Sequence, residues 1–296
     1  VSSLSRTEHF ESSPKKGRGR AKRSLDLIEA MYAIAEACQP ITGRGVGYKL
    51  FTQGLIPSMS RADMNSVYRL LKEAREEGTI PWEWIVDETR ELEKVSTWKD
   101  PAAYVRAVSK SYRRDFWTRQ PVRLQVWSEK GTIRGVLAPT LDEYGVGFMP
   151  VHGFSSATAV NDIAQDDDGR DLIILYVGDY DPSGMCMSEK DLPNRIEKYG
   201  GYHVEIERVA LTRDDCAGLP SFPASDKKSD TRYRWFVANH GRDCWELDAM
   251  DPNDLRAKVR AAIEAHIEWE QWERDTMVNL AEQNSLRTVL DSWIRK

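Results

Sequence analysis

The sequence predicts a mixed α/β fold: a parallel sheet in a three-layer α/β/α arrangement, preceded by a helical N-terminal region. Three observations carry this. Residues 172–177 form an unbroken apolar run of strand length, the pattern of a strand covered on both faces. From Pro121 onward the pattern alternates strand, helix, strand, helix, strand, helix, strand. The apolar run then ends in Gly178-Asp179-Tyr180-Asp181-Pro182-Ser183-Gly184, two carboxylates spaced i, i+2. Chemistry in open α/β sheets gathers beyond the carboxyl ends of strands.

Residues 1–23 carry Lys15, Lys16, Arg18, Arg20, Lys22 and Arg23 with few large apolar side chains, and read as a disordered basic arm. Ser24 is placed as the N-cap of a first helix with Leu25, Ile28, Met31, Ala35 and Cys38 on one face, ended by Pro40. A short helix is expected over 42–53, weakened by Gly45 and Gly47. Its glycines do not fit Gly-x-Gly-x-x-Gly and no strand precedes them, so a nucleotide loop is rejected. Ser60 and Asp63 stand in capping-box positions for a third helix. Met64, Val67, Leu70, Leu71 and Ala74 make its apolar stripe, and Arg61, Arg69, Lys72 and Arg75 fall on the other surfaces. Gly78 closes it, and 79–87 reads as an extended, hairpin-like piece.

Three short helices followed by such a piece suggest a winged helix over 24–119, with the third helix reading DNA. The plainer reading is a helical subdomain with solvated basic faces. Asp100-Pro101 caps a further helix expected to run to about Trp117, with Tyr104, Val105, Val108, Tyr112 and Phe116 inward and Lys110, Arg113, Arg114 and Arg119 outward.

In 120–296 the alternating stretch 122–127 is the first expected strand, ending at Ser128-Glu129-Lys130-Gly131. A helix follows from about Ile133 to Leu137 or Leu141, then a strand over 147–151 and a helix over 155–164. After the central strand come a helix over 188–199, a strand over 204–211 and a polar, irregular segment over 212–243. Acids recur at i, i+2 in Glu246 and Asp248. From Pro252 a long helical region runs nearly to Lys296, with Leu255, Val259, Ile263 and Ile267 marking its early stripe.

The bulk numbers exclude several classes. At 41% hydrophobic and 30% charged the chain has an ordinary globular composition, and a net charge of −5 does not advertise nucleic-acid binding outside the local basic segments. Cys38, Cys186, Cys216 and Cys244 form no Cys-x-x-Cys pair and, with five scattered histidines, no zinc spacing. Thiols and an intracellular, reducing compartment are expected. No run approaches the roughly 18 apolar residues of a membrane span, and no secretory leader is expected. There is no Gly-x-x-x-x-Gly-Lys-Ser/Thr phosphate loop, so ATPase work is expected only from a separate subunit.

Glu129 and the Asp179/Asp181 pair end two expected strands. If those strands are parallel neighbours, the three carboxylates share one edge and can hold a hard divalent cation. The plainer reading of the pair is an acidic turn. At this point the residues resemble a family. Trp127-Ser128-Glu129-Lys130-Gly131 and Gly178-Asp179-Tyr180-Asp181-Pro182-Ser183-Gly184 resemble the Toprim domain of topoisomerases and related nucleases. Within it, the chain is similar to the A subunit of topoisomerase VI, the meiotic double-strand-break transesterases and the nuclease subunits of Wadjet-type plasmid defence. The spacing Thr42-x-Arg44-x-x-x-Tyr48 resembles that group's nucleophile motif.

The resemblance covers about residues 24 to 270 and implies a CAP-like winged helix followed by Toprim. It implies that Glu129, Asp179 and Asp181 hold Mg²⁺, one ion or two, with Mn²⁺ as a substitute. Glu246 and Asp248 are candidates for an outer or second metal site, or a helix-entry acidic pair. Tyr48 would attack phosphorus, leaving a 5′-phosphotyrosyl link, with Arg44 helping a phenol of pKa about 10 to ionise. Gly45 and Gly47 depart from the group's bulkier residues, so an irregular helix is expected there. Lys130 is either a phosphate contact or simply exposed. The implied partners are double-stranded DNA, a second copy of the chain and a separate ATPase; a stand-alone enzyme of a phage or mobile element is the other possibility. Two further readings stay open: a hydrolytic Toprim nuclease with Tyr48 as bystander, and a non-catalytic DNA-binding assembly module.

Overall fold

The computed structural model describes residues 22–86, 95–151 and 157–294. The expected arm therefore falls outside the described residues as far as residue 21, as do Asp87 of the hairpin-like piece and the start of the helix expected from Ser155. Helix α1 (Lys22–Cys38) already includes Lys22 and Arg23, so Ser24 lies inside its first turn and does not cap it. Strand β1 (Ile41–Thr42) leads into α2 (Gly43–Thr52), and α3 (Arg61–Glu76) follows. Ile28, Met31, Val46, Leu50, Val67 and Leu71 are among the residues that bury one apolar core between these helices.

The helix expected to be irregular at Gly45 and Gly47 is a regular one, and the glycines have a packing reason. A Cβ on Gly47 would stand 2.5 Å from the Sδ and Cε of Met64, which is buried in the same core. A Cβ on Gly43 would stand 3.2 Å from the Tyr68 ring. Small residues let α2 lie close against α3, and filling that space would overpack the contact. After α3 the chain forms a short 3₁₀ turn (Trp82–Trp84) and β2 (Ile85–Val86), which pairs in parallel with β1. The expected hairpin is thus, among the described residues, a two-residue parallel pairing that returns the chain to the start of α2.

After α4 (Pro101–Ser111) come β3 (Arg123–Ser128), α5 (Ile133–Tyr144), β4 (Gly147–Pro150), α6 (Ala157–Gln165) and β5 (Leu172–Val177). Helix α7 (Pro182–Cys186) continues through a π segment (Met187–Asp191) into α8 (Leu192–Lys198), and β6 (Val204–Ala210) completes the sheet. The four strands are all parallel in the order β4-β3-β5-β6. Along β5, Ile173, Leu175 and Val177 join the core on one face, while Leu172, Ile174 and Tyr176 join the core on the other. A strand buried on both faces has no polar alternation, which is why its apolar run is unbroken. The helix expected over 188–199 begins earlier, at Pro182. Asp181 caps it by accepting the Gly184 N–H at 2.8 Å, so the Pro-Ser-Gly turn is its first turn.

The segment expected to be irregular over 212–243 contains β7 (Phe222–Pro223), α9 (Tyr233–His240) and the start of β8 (Asp243–Cys244), with Phe236 buried in the core. The long C-terminal helical region is two helices, α10 (Pro252–Ala265) and α11 (Trp269–Ile294). The helix expected to run to Trp117 stops at Ser111 and resumes as a 3₁₀ turn (Phe116–Arg119). Between them the chain turns onto α11: the Tyr112 hydroxyl donates to Glu282 at 2.8 Å, and the Arg114 guanidinium donates to Asp275 at 3.0 Å and Glu282 at 2.6 Å. All four cysteines are free thiols. No helix among the described residues is long and apolar enough to cross a membrane.

Candidate functional site at the carboxyl edge of the sheet

Strands β3 and β5 are parallel neighbours with Ser128 opposite Val177, so Glu129 and Asp179 emerge side by side. The Asp179 N–H donates to the Glu129 carboxylate at 3.1 Å. A bridge between Tyr180 and Trp245 brings the next acidic pair to the same edge. The Leu247 N–H then donates to Asp179 Oδ1 at 2.7 Å. Asp179, Asp181 and Asp248 are buried. Gly184 is fixed by the same crowding, because a Cβ there would meet the Asp179 carbonyl oxygen at 2.3 Å.

Lysines hold these acids. Lys130, expected at a phosphate or in solvent, instead bridges Asp179 at 2.8 Å and Asp248 at 2.9 Å. Lys227 donates to Asp181 Oδ2 at 2.8 Å. Burial opposes the charge on Lys130, but Asp179 and Asp248 together hold its ammonium well above the ordinary range. Burial likewise opposes ionisation of Asp248, yet Lys130, the Thr42 hydroxyl and Arg44 keep its carboxyl below the usual value. Asp179 moves up because burial outweighs the pull of Lys130 and the Leu247 N–H.

Glu129 is pushed from 4.5 to about 7, first by burial and then by the negative charges of Asp179 and Asp181. This sets a pH dependence. The folded chain keeps the Glu129 proton to about pH 7, whereas the unfolded chain releases it near 4.5. The resulting stability is fully present below 4.5 and is lost as pH rises through about 7. Urea unfolding in EDTA should therefore show wild-type stability falling across that window by on the order of 3 kcal/mol, while Glu129→Gln, which retains the acceptor for the Asp179 N–H, shows a flatter profile. Parallel profiles would contradict the assignment.

The N-terminal helices meet this edge through the start of α2. Thr42 caps α2 by accepting the Gly45 N–H at 2.9 Å and donates to Asp248 at 2.5 Å. Arg44 makes a two-pronged ion pair with Glu246, one contact at 2.6 Å. Tyr48, one turn on, is 5% exposed. Its hydroxyl is pushed up by burial and by Glu246, with Arg44 only partly opposing them. In this conformation Arg44 spends its charge chiefly on Glu246 and the phenol stays protonated.

A cavity of about 840 Å³ opens where these parts meet, lined by Arg44, Lys130, Asp179 and Asp248 and by Lys72 and Arg75 of α3. Tyr48 is not among its described lining residues. Of the cations placed on α3, Arg61 is exposed, Arg69 pairs with Glu73 at 2.8 Å and Lys72 with Glu76 at 3.5 Å. Arg75, expected on an outer surface, is only 7% exposed because its guanidinium stacks on Trp82 at 4.3 Å.

Two residues of the site escaped the sequence reading. Arg208 donates to the carbonyls of Gly178 at 3.1 Å, Asp179 at 2.5 Å and Gly184 at 3.0 Å, tying down the acidic loop. An arginine on the same strand face as Val204 and Ile206 was the available signal. Lys227 sits in a polar run where nothing distinguished it from Lys228.

Among the described residues no group of three or more His, Cys, Asp or Glu side chains forms a ready metal site. The donor chemistry nevertheless fits a hard divalent cation. Glu129, Asp179 and Asp181 are oxygen donors on one edge, and the two aspartates are already drawn to ammonium groups. No family model matches the chain, and neither curated proteins nor solved structures give a match.

Proposed function

We propose that the chain cleaves DNA phosphodiesters with the help of a divalent cation, as a Toprim protein of the topoisomerase VI A type whose nucleophile is Tyr48. One observation carries the reading: Thr42 and Arg44 line a single cavity together with Asp179, whose N–H is bound to Glu129, and with residues of α3. In this reading residues 24–119 are the winged-helix part and 120–296 the Toprim part with its helical extension. Glu129, Asp179 and Asp181 would hold Mg²⁺, with Glu246 and Asp248 outside them. When bound, the ion supplies neutralisation of charge on the phosphoryl oxygens.

The chain's own groups do the rest. Arg208 holds the loop that carries Asp179 in place. Lys130 keeps Asp179 and Asp248 from repelling one another. Arg61, Arg69 and Lys72 offer charge to a duplex backbone, and a second copy of the chain and a separate ATPase subunit belong to the same reading.

A hydrolytic reading is favoured by a specific observation, the burial of Tyr48 away from the cavity lining. Tyr48→Phe separates the two. Transesterification predicts that the variant loses both cutting of a supercoiled plasmid in Mg²⁺ and the protease-sensitive protein–DNA adduct that wild type forms. Hydrolysis predicts that the variant cuts like wild type and that neither forms an adduct.

A further inference from the structure

The cavity beside the acidic edge contains more than phosphate-binding charge. Its lining includes two aromatic side chains, Tyr68 and Trp82, that a duplex backbone contact does not need. Both keep much of their surface in solvent, 40% for Tyr68 and 55% for Trp82. Trp82 is held in place: the Arg75 guanidinium stacks on its ring at 4.3 Å and donates to its carbonyl at 3.3 Å. Tyr68 lies against the first turn of α2, where a Cβ at position 43 would stand 3.2 Å from its ring. With Leu71, Ile85 and Val86, the two exposed aromatics give the cavity an apolar part beside its charged one. Exposed rings of this kind serve as platforms for π-faced ligands.

Charge and size narrow the ligand. The described lining includes four cations, Arg44, Lys72, Arg75 and Lys130, against three carboxylates, Asp179, Glu246 and Asp248. Lys72 and Arg75 share α3 with Tyr68, while Arg44 and Lys130 are paired with Glu246, Asp179 and Asp248. The volume of about 840 Å³ lies within the range of about 300–1,000 Å³ typical of sites that enclose small molecules. A paired base cannot present its face to a side chain, because its neighbours in the stack cover it; an unpaired one can.

We propose that this cavity receives an unpaired nucleotide, its base against Trp82 and Tyr68 and its phosphate toward Lys72. The substrate class that follows is DNA with single-stranded character at the cleavage point: an overhang, a gap or a locally opened duplex. This rests on the cleavage reading for its biological meaning, but the binding claim stands apart from it.

The test is equilibrium binding in EDTA, where cleavage plays no part. The probes are a fluorescein-labelled oligothymidylate and a fully paired hairpin with the same number of phosphates, read by anisotropy at one salt concentration. The full chain is used as wild type, Trp82→Ala, Trp82→Phe and Tyr68→Ala. Wild type should bind the single strand more tightly than the hairpin. Trp82→Ala should weaken single-strand binding by about 5- to 150-fold, the equivalent of one stacked base, and change hairpin binding by less than twofold.

Trp82→Phe should restore most of the affinity, and Tyr68→Ala should produce a smaller loss of the same selectivity. Thermal unfolding of each variant identifies any that fail to fold; Trp82→Phe and Tyr68→Ala keep the test open if Trp82→Ala does. The proposal is overturned if wild type shows no preference for the single strand, or if the aromatic variants that fold lose both probes equally or neither. Loss of the cleavage reading leaves these outcomes unchanged, because none of them depends on bond breakage.

Discussion

Asp179→Asn is expected to lower metal-dependent DNA cleavage by on the order of 10²- to 10³-fold while leaving a folded protein. The substitution is chosen for what it keeps. Asn retains an oxygen to accept the Leu247 N–H, now bound at 2.7 Å, and the backbone N–H to Glu129 is unaffected. It removes one full negative charge from the edge where a cation would sit. Lys130 keeps Asp248 as a partner at 2.9 Å, so the ammonium is not orphaned. Cleavage assays on plasmid and a thermal unfolding curve are read together. Unchanged cleavage with an unchanged unfolding curve would remove Asp179 from the chemistry.

Lys130→Met has the largest expected effect on stability, a loss of about 3–5 kcal/mol. Methionine matches the length of the lysine stem but not its charge. The substitution leaves Asp179 and Asp248 buried beside one another with no ammonium between them. Desolvation of two unpaired carboxylates is costly, and protonation is the available relief. The loss should therefore shrink as pH falls and the carboxyls take up protons. Urea unfolding at two pH values checks this. A variant as stable as wild type at neutral pH would mean that the bridge does not hold the edge together.

The sheet was legible chiefly because its central strand, β5, is buried on both faces. The run 172–177 has no polar residue to confuse the pattern, and the acids at its end fall where parallel strands expose their carboxyl termini. Helix α3 was legible from five apolar residues at helical spacing, all of which are buried. The glycines of α2 misled because propensity describes an isolated helix, whereas Gly47 answers to Met64 across a tertiary contact. The break after Ser111 was hidden because its cause, the acids of α11, lies far along the chain.

At the site, Glu129, Asp179 and Asp181 were readable from strand ends, and Glu246 with Asp248 from their spacing. What those acids touch was not. Nothing local says that Thr42 reaches Asp248, that Arg44 is spent on Glu246, or that Lys227 reaches Asp181. Arg75 was misplaced for a related reason: its burial depends on Trp82, which follows the end of its own helix.

Purified wild-type chain incubated with supercoiled plasmid, in Mg²⁺ and separately in EDTA, decides whether the acidic edge does metal-dependent chemistry on DNA. Nicked or linear DNA is expected in Mg²⁺, none in EDTA, and recovery when Mn²⁺ replaces Mg²⁺. Plasmid that is bound but stays supercoiled with either ion, or is cut equally well in EDTA, would contradict the cleavage reading.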